Sequence, residues 1–365
     1  MKSIKNPFLA LSIIALISLS ACENELEVFA EYEDVTVVYA LLQPEDTLHQ
    51  IKVNKLFQGE GDALVLAQDP ALSQYEADEV NVLIKEVDGN GDTTVFTLEQ
   101  VEVTNKDSGI FYYPNQMLYE FEAELKEGAT YYLEIEKQQG ETVRGETSLV
   151  QSSTNPVFDE REISRYQKIG MSWVNGSSVN SSQQITVIPP KNSKVFEMVL
   201  TFRYQDLLEG NILSEDRYVD ISLGTESLPN VVDEYSRSND FVFEYSPESV
   251  FEVIANRVPD LADSPGVIGR KADSIDINLY IGGEELDVYM SVNQPSTSLL
   301  EDKPEYTNVV NGLGLVSSRS YLLESVVLTK DSYEELATGL VLGLTGSKGF
   351  CNPKALPQES TYCGF

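Results

Sequence analysis

The sequence predicts a mainly β protein, because short β-rich runs alternate with polar turn clusters along most of the chain. VTVVYALL (35–42), NVLIKEV (81–87) and ATYYLEIEK (129–137) are rich in β-branched and aromatic residues. Clusters of Gly, Asp, Asn and Pro separate such runs at regular intervals. In the N-terminal part this spacing is typical of an antiparallel sandwich of the immunoglobulin/fibronectin-like type.

A second β-rich domain with one or two short helices is predicted to follow. The boundary falls in QSSTNPVF (151–158), a small, polar, proline-containing stretch that is typical of a linker. We therefore expect the sandwich domain at residues 32–152 and the second domain at residues 153–347. Residues 348–365 are expected to form a C-terminal tail.

Helix signals occur at two places in the second domain. Ser246 suits an N-cap, Pro247 suits the first helical position, and an apolar stripe follows as far as Ile254. A shorter helix is expected at residues 331–338. Earlier in the chain, ALVLAQDPALSQYEA (63–77) predicts either a short helix or a long loop.

Period-two patterns place two further features. In TLHQIKVNKLF (47–57) the pattern predicts that His49 lies on a strand surface. Since His49 is the only histidine, the sequence argues against zinc clusters and against Ser-His or Cys-His catalysis. In DSIDINLYIGGEELDVYMSV (273–292) the pair Gly282-Gly283 predicts the turn of a hairpin.

The N-terminus predicts export and a lipid anchor. Two early lysines precede an apolar stretch at residues 8–19, which is shorter than the roughly 20 residues of a membrane span. Such a stretch suits a secretory signal peptide, here residues 1–21. The sequence LSAC (19–22) is typical of a bacterial lipobox, which predicts acylation of Cys22 after cleavage. The alternative is an ordinary signal peptide with an incidental cysteine.

An acidic tether, residues 22–31, is predicted to follow the signal peptide. Its Glu23, Glu25 and Glu27 resemble the acidic signal that sends Bacteroidota lipoproteins to the outer face of the outer membrane. The alternative is a solvated tether that happens to be acidic.

Acidic residues also dominate the rest of the composition. The full chain has 25 basic and 59 acidic residues, and residues 1–21 contain two of the lysines and no acids. The mature chain therefore has a formal net charge of −36. Such a surface repels nucleic acid and anionic head groups, so both are poor partners.

Three segments resemble a known family. VVYALLQPEDTLHQIKVNKLFQGEGDAL (37–64), YTNVVNGLGLVSSRS (306–320) and DSYEELATG (331–339) are similar to Bacteroidota outer-membrane lipoproteins catalogued as domain of unknown function 4249. The resemblance covers nearly all of the mature chain. It implies an outer-membrane lipoprotein, often encoded near TonB-dependent transporters, with no established activity. It adds no catalytic residues.

The segment from Asp88 to Glu99 has the spacing of a calcium loop. Oxygen-bearing side chains occupy its first, third and fifth positions, and Glu99 occupies the twelfth. Thr93, however, stands where the sharp turn needs Gly, and the flanks alternate like strands. DGNGD suits a hairpin loop equally well. We predict no tight calcium site here, and the sequence indicates no other metal and no cofactor.

Two further candidate sites have a plain structural alternative. In the stretch after Tyr306, Asn308, Asn311 and Arg319 suit the polar contacts of a partner-binding loop. The alternative is a loop whose glycines only supply backbone freedom. Trp173, the only tryptophan, suits a sugar platform or a packing residue.

The remaining cysteines, Cys351 and Cys363, predict a disulfide. With Cys22 acylated they form an even pair, and an exported protein meets an oxidising compartment. Twelve residues separate them, and two intervening prolines curve the segment. The alternatives are two free thiols or part of a metal site.

Together these observations predict an outer-membrane lipoprotein that faces the cell exterior. The function we expect is non-enzymatic, with no catalytic residues: an accessory or ligand-capture subunit of an outer-membrane β-barrel transporter or assembly. Its ligand, a small molecule or a glycan, is not identified by the sequence. The alternatives are a surface glycan hydrolase and a purely structural or adhesive lipoprotein.

Overall fold

The structure is a computed structural model that describes residues 35–56, 62–293 and 306–364. The secondary-structure content is 44% strand and 18% helix, which confirms the predicted mainly β, sandwich-like fold. Among these residues no helix is long and apolar enough to cross a membrane. The predicted signal peptide, Cys22 and the tether glutamates lie outside the described residues.

The secondary structure consists mostly of strands, with short helices between them. In chain order the strands are β1 (Thr36–Leu42), β2 (Leu48–Lys55), β3 (Val80–Val87), β4 (Thr93–Thr97), β5 (Glu99–Val103), β6 (Gln116–Glu122), β7 (Thr130–Lys137), β8 (Val143–Ser148), β9 (Val174–Asn175), β10 (Ser178–Val179), β11 (Gln183–Val187), β12 (Val195–Leu208), β13 (Ile212–Leu213), β14 (Arg217–Ser227), β15 (Phe241–Tyr245), β16 (Val267–Gly282), β17 (Gly312–Val326) and β18 (Phe350–Cys351). The described α-helices are α1 (Ala63–Leu66), α2 (Pro70–Ser73), α3 (Glu160–Lys168), α4 (Pro247–Arg257), α5 (Glu284–Asn293) and α6 (Lys330–Thr338), and 3-10 turns cover Arg237–Asn239, Leu261–Asp263 and Gly346–Lys348.

The first eight strands form the two facing sheets of a sandwich. Strands β1, β2, β6 and β5 are neighbours in one sheet, and β4, β3, β7 and β8 form the other. The chain changes sheets at Leu98, a buried residue between β4 and β5. Alternate side chains from both sheets, among them Val38, Ile51, Val82 and Leu133, fill the core between them.

A second core lies under the strands of the second part. Leu200 of β12 and Ile277 of β16 belong to it, together with Phe251 of α4 and Leu336 of α6. Trp173, which is fully buried, packs edge-on against Phe251 with 5.5 Å between ring centroids. Helices α4 and α6 therefore pack against one face of the sheet that contains β12 and β16.

Strand β17 joins the two parts into one ten-stranded sheet. Its first half pairs in parallel with β1, from Thr36 opposite Gly312 to Leu42 opposite Ser318. Its second half pairs antiparallel with β16, so that Gly282 lies opposite Arg319. The sheet order is β13, β12, β16, β17, β1, β2, β6, β5, with β14 beside β12 and β18 beside β16.

Both cores lie on the same face of this sheet. Side chains of one parity along β17 point to that face: Val316 enters the sandwich core and Val326 the second core. Between them Ser318 donates to the Ser148 carbonyl at 2.8 Å, and Ser320 donates to the Ser152 hydroxyl at 2.6 Å. A buried, hydrogen-bonded seam of serines thus separates the two cores, because buried hydroxyls need partners.

The structure contradicts the predicted hairpin at Gly282-Gly283. Strand β16 ends at Gly282 and helix α5 begins at Glu284. A Cβ on Gly282 would lie 2.7 Å from Val195 Cγ1 and 2.8 Å from Leu286 Cδ2, so the glycine allows the helix to turn back tightly over the sheet. The hairpin prediction is wrong because Glu284 and the acids after it favour a helix N-terminus over a strand.

The two predicted helices of the second domain are confirmed as α4 and α6. Proline occupies the start of α4 as expected, although the Ser246 side chain makes no capping hydrogen bond. The segment 63–77 holds the two short helices α1 and α2. Helix α3, which follows the predicted linker, was not indicated by the sequence.

The C-terminal tail brings its two cysteines close together. Cys351 and Cys363 lie at disulfide distance, with 5.1 Å between their Cα atoms. Inside this loop the Asn352 backbone N–H donates to the Thr361 carbonyl at 2.7 Å. Beside it, Phe350 packs against Phe202 of the second core. A disulfide between them would secure a short tail on the end of the sheet.

We expect Gly314→Ala to destabilise the chain more than Gly224→Ala does. Both glycines have positive φ, of 114° and 102°, but a Cβ at Gly314 would lie 1.9 Å from the Val38 carbonyl oxygen, whereas Gly224 faces open space. Backbone strain alone costs about 1–3 kcal/mol. The clash with the Val38 carbonyl oxygen should add at least about 2 kcal/mol to the loss in free energy of unfolding at Gly314. Urea unfolding of the unacylated chain measures both losses. Equal losses would contradict the need for close β1–β17 contact.

We expect Cys351→Ser combined with Cys363→Ser to lower the free energy of unfolding by up to about 3 kcal/mol, because a closed short loop restricts the unfolded chain. Urea unfolding of both forms measures the loss. Intact mass after alkylation, with and without reductant, checks the bond itself. Uptake of alkylating agent by both cysteines before reduction would show that no bridge exists.

Candidate functional site

The outer face of the ten-stranded sheet is the part of the molecule that the cores leave open. On β1 the outward residues are Val37, Tyr39 and Leu41, and Tyr39 is 41% exposed. Helix α5 lies over this face, where the Tyr289 hydroxyl donates to the Tyr39 hydroxyl oxygen at 3.3 Å. Two clefts lie along the face.

The first, which we call the basic cleft, is a cavity of about 300 Å³ over β1 and β2. Its floor consists of outward residues that pair across these two strands, Tyr39 with Lys52 and Val37 with Asn54. Its walls come from Ser73 and Gln74 at the end of α2 and from the loop between β5 and β6. The residues that line it are Val37, Tyr39, Lys52, Asn54, Lys55, Leu56, Ser73, Gln74, Lys106, Phe111 and Gln116.

Three lysines in the basic cleft differ in their partners. The Lys55 ammonium lies 2.6 Å from a Glu79 carboxylate oxygen. The Lys106 ammonium donates to the Tyr112 carbonyl at 2.8 Å and lies 5.6 Å from the Phe111 ring centroid. The Lys52 ammonium forms no ion pair with an acidic side chain of the described residues.

The electrostatics of the basic cleft disfavour two neighbouring positive charges. Burial lowers the pKa of the Lys52 ammonium. Burial, and then the nearby charge of Lys52, lower the pKa of the Lys106 ammonium. The two ammonium groups are therefore close enough to repel each other, and an anion between them would relieve that repulsion.

The second, which we call the aromatic cleft, is a cavity of about 540 Å³ over β16 and β17 beside α5. Tyr280 and Tyr321 are direct cross-strand partners, with 5.1 Å between ring centroids. The Tyr321 hydroxyl donates to the Asn278 side-chain oxygen at 2.6 Å, which fixes the ring. Leu41, Leu286, Met290 and Arg319 also line it, as does Glu197 on the β12 side.

The structure does not fold the Asp88–Glu99 segment into a loop whose side chains converge on one ion. Its first residues form the turn of the β3–β4 hairpin. The Asp88 carboxylate accepts from the backbone N–H groups of Asn90 at 2.8 Å and Asp92 at 3.0 Å. These hydrogen bonds lower the pKa of Asp88. Glu99 begins β5 in the opposite sheet. Among the described residues no three potential ligands cluster as a metal site. The absence of a tight calcium site stays a prediction.

The predicted partner-binding residues separate into two kinds. Asn308 accepts from the Val316 N–H at 2.9 Å and donates to the carbonyl of the same residue, and Asn311 donates to the Thr142 carbonyl at 3.0 Å. Both asparagines therefore have structural roles. Arg319 is exposed and lines the aromatic cleft.

Trp173 is buried, as the packing interpretation expected, and its indole N–H donates to the Tyr245 hydroxyl at 3.0 Å.

His49 is also buried, so its predicted strand-surface position is wrong. It shares its parity with Ile51 and Val53, both core residues of β2, and period two therefore turns it inward. Its Nε2 lies 3.0 Å from the Ala123 carbonyl oxygen.

Sequence reasoning did not indicate Lys52, Lys106, Tyr280 or Tyr321 as site residues. The available signal was weak: Lys52 alternates with the apolar core residues of β2, which places it on the outer face.

No model of a known protein family matches the chain. A search of curated proteins finds no match either.

Proposed function

We propose that this protein is an outer-membrane lipoprotein that captures a ligand on the outer sheet face, as an accessory subunit of an outer-membrane β-barrel transporter or assembly. The observation that supports a binding role is the open face itself. One side of the ten-stranded sheet buries both cores, whereas the other presents two clefts with exposed aromatic side chains.

The composition of the aromatic cleft favours contact with a ligand or partner. Tyr280 is 46% exposed, Met290 37% and Leu323, the next outward residue on β17, 50%. Aromatic residues, Met and Arg are enriched at binding surfaces, and contiguous exposed apolar groups are uncommon without such a role. The tyrosine pair and Arg319 together suit a surface that combines apolar contact with a few hydrogen bonds.

A binding role fits the clefts better than glycoside hydrolysis does. Hydrolysis by the common mechanisms needs two carboxyl groups about 5–9.5 Å apart. Among the described residues that line the basic cleft there is no acid, and Glu197 is the acid that lines the aromatic cleft. A purely structural or adhesive role remains the second alternative, and the pull-down below distinguishes it.

The lipid anchor rests on the lipobox-like LSAC (19–22), and the resemblance of three segments to Bacteroidota outer-membrane lipoproteins supports the same location. The described structure begins at Val35, thirteen residues after Cys22. An extended chain of that length spans at most about 45 Å. The clefts would therefore work close to the membrane surface.

We expect Cys22→Ser to release the protein from the membrane, because acyl chains on this residue supply the anchor. Fractionation of cells after a high-salt wash measures the effect. The wild type should sediment with outer membranes and the variant should appear in the soluble fraction. Retention of the variant in the membrane fraction would contradict the lipobox interpretation.

We expect a β-barrel protein to co-purify with the acylated wild type from native membranes in mild detergent. Tyr280→Ala combined with Tyr321→Ala should reduce that recovery several-fold, because it removes the exposed rings of the aromatic cleft. Tyr132→Ala is the matched control, since Tyr132 is exposed on β7 in the opposite sheet. If no barrel protein co-purifies with the wild type, the accessory role is wrong.

A further inference from the structure

The basic cleft brings three lysines together in a chain with an excess of acids. Acids outnumber bases by more than two to one, and other lysines such as Lys85, Lys330 and Lys348 lie within 2.6 Å of a carboxylate oxygen. Lys52 is half-buried and has no acidic partner among the described residues. Because partial burial of a charge without a described acidic partner is unfavourable, an anion beside Lys52 would stabilise its ammonium group.

The geometry of the cleft suits one anionic group. Lys52 rises from the β2 floor, and Lys106 reaches in from the loop between β5 and β6. An ammonium group has three donors, and the structure gives Lys106 one acceptor, the Tyr112 carbonyl. The remaining donors of both lysines and the Asn54 amide beside them face a carboxylate or phosphate placed in the cleft, whereas the Gln116 amide already donates to the Asn105 side-chain oxygen at 2.8 Å.

The rest of the cleft suits an apolar or planar body. Val37 and Tyr39 lie on the floor, while Phe111 and Leu56 lie at the sides. Phe111 and Leu56 are 50% and 43% exposed. A volume of about 300 Å³ is at the lower end of the range for small-molecule sites.

We propose that the basic cleft binds a small organic anion, whose carboxylate or phosphate lies between Lys52 and Lys106 and whose apolar or planar body packs on Val37, Tyr39 and Phe111. This assignment rests on the proposed ligand-capture function and names its ligand class. The cleft disfavours inorganic cations, because three lysines and no acid are among the described residues that line it.

The test uses two dyes of similar shape on the purified unacylated full chain. The anionic dye is 8-anilinonaphthalene-1-sulfonate, and the uncharged dye is N-phenyl-1-naphthylamine. We expect the wild type to bind the anionic dye at one site, measured by fluorescence titration. Lys52→Met combined with Lys106→Met should weaken that binding at least tenfold, because it removes two charge-assisted contacts. Binding of the uncharged dye should change less than twofold.

The matched control is Lys168→Met combined with Lys330→Met, which changes the net charge by the same amount at exposed positions. It should leave anionic dye binding unchanged. Urea midpoints of all variants check the fold, because Lys106→Met relieves the repulsion with Lys52 but also removes the hydrogen bond to the Tyr112 carbonyl. Competition by benzoate and by phenyl phosphate then identifies which anionic head group the cleft prefers.

Three results would overturn the assignment: no saturable anionic dye binding by the wild type, equal losses in the cleft and control variants, or equal losses of both dyes in the cleft variant. Each concerns the isolated chain. Dye binding with the expected lysine dependence but without a co-purifying barrel protein would reject the accessory role and leave the anion site standing. A co-purifying barrel protein without lysine-dependent dye binding would reject the anion site and leave the accessory role standing.

Discussion

The architecture depends on the double pairing of strand β17. Its first seven residues complete the sandwich sheet beside β1, and its last eight complete the second sheet beside β16. The β1–β17 ladder connects segments more than 270 residues apart in the chain. It requires close backbone contact at Gly314, where any side chain would meet the Val38 carbonyl. Because the sandwich sheet is completed by a late segment of the chain, the two parts are expected to unfold together.

The same pairing determines where a binding site is able to form. Since β17 runs straight through both sheets, its alternate residues keep one parity, and both cores collect on one face. The opposite face is then left to α5 and to solvent. Helix α5 occupies the middle of this face because Gly282 permits its tight return over Val195. The clefts are therefore a consequence of the sheet's continuity.

The sequence predicted the strands and the mainly β class well, because local alternation and turn residues determine both. It failed where the outcome depended on distant pairing. His49 has the right period for either face, and its core position follows from its neighbours Ile51 and Val53. At Gly282-Gly283 the turn was correct but the following segment was a helix. The basic cleft needs Lys52 and Lys106, 54 positions apart, to meet across strands and a loop, and no local pattern indicates that.

An anion site in a chain with a formal net charge of −34 has a physical consequence for selectivity. The overall field repels anions, but at physiological ionic strength it is screened beyond about 8 Å. A ligand therefore meets net attraction only after it enters the cleft, where the Lys52 and Lys106 ammonium groups are partly desolvated. Ligands with an apolar body gain contact with Val37 and Phe111, whereas simple inorganic anions have no such compensation for the approach. The cleft should accordingly discriminate by the body attached to the anionic group more than by charge alone.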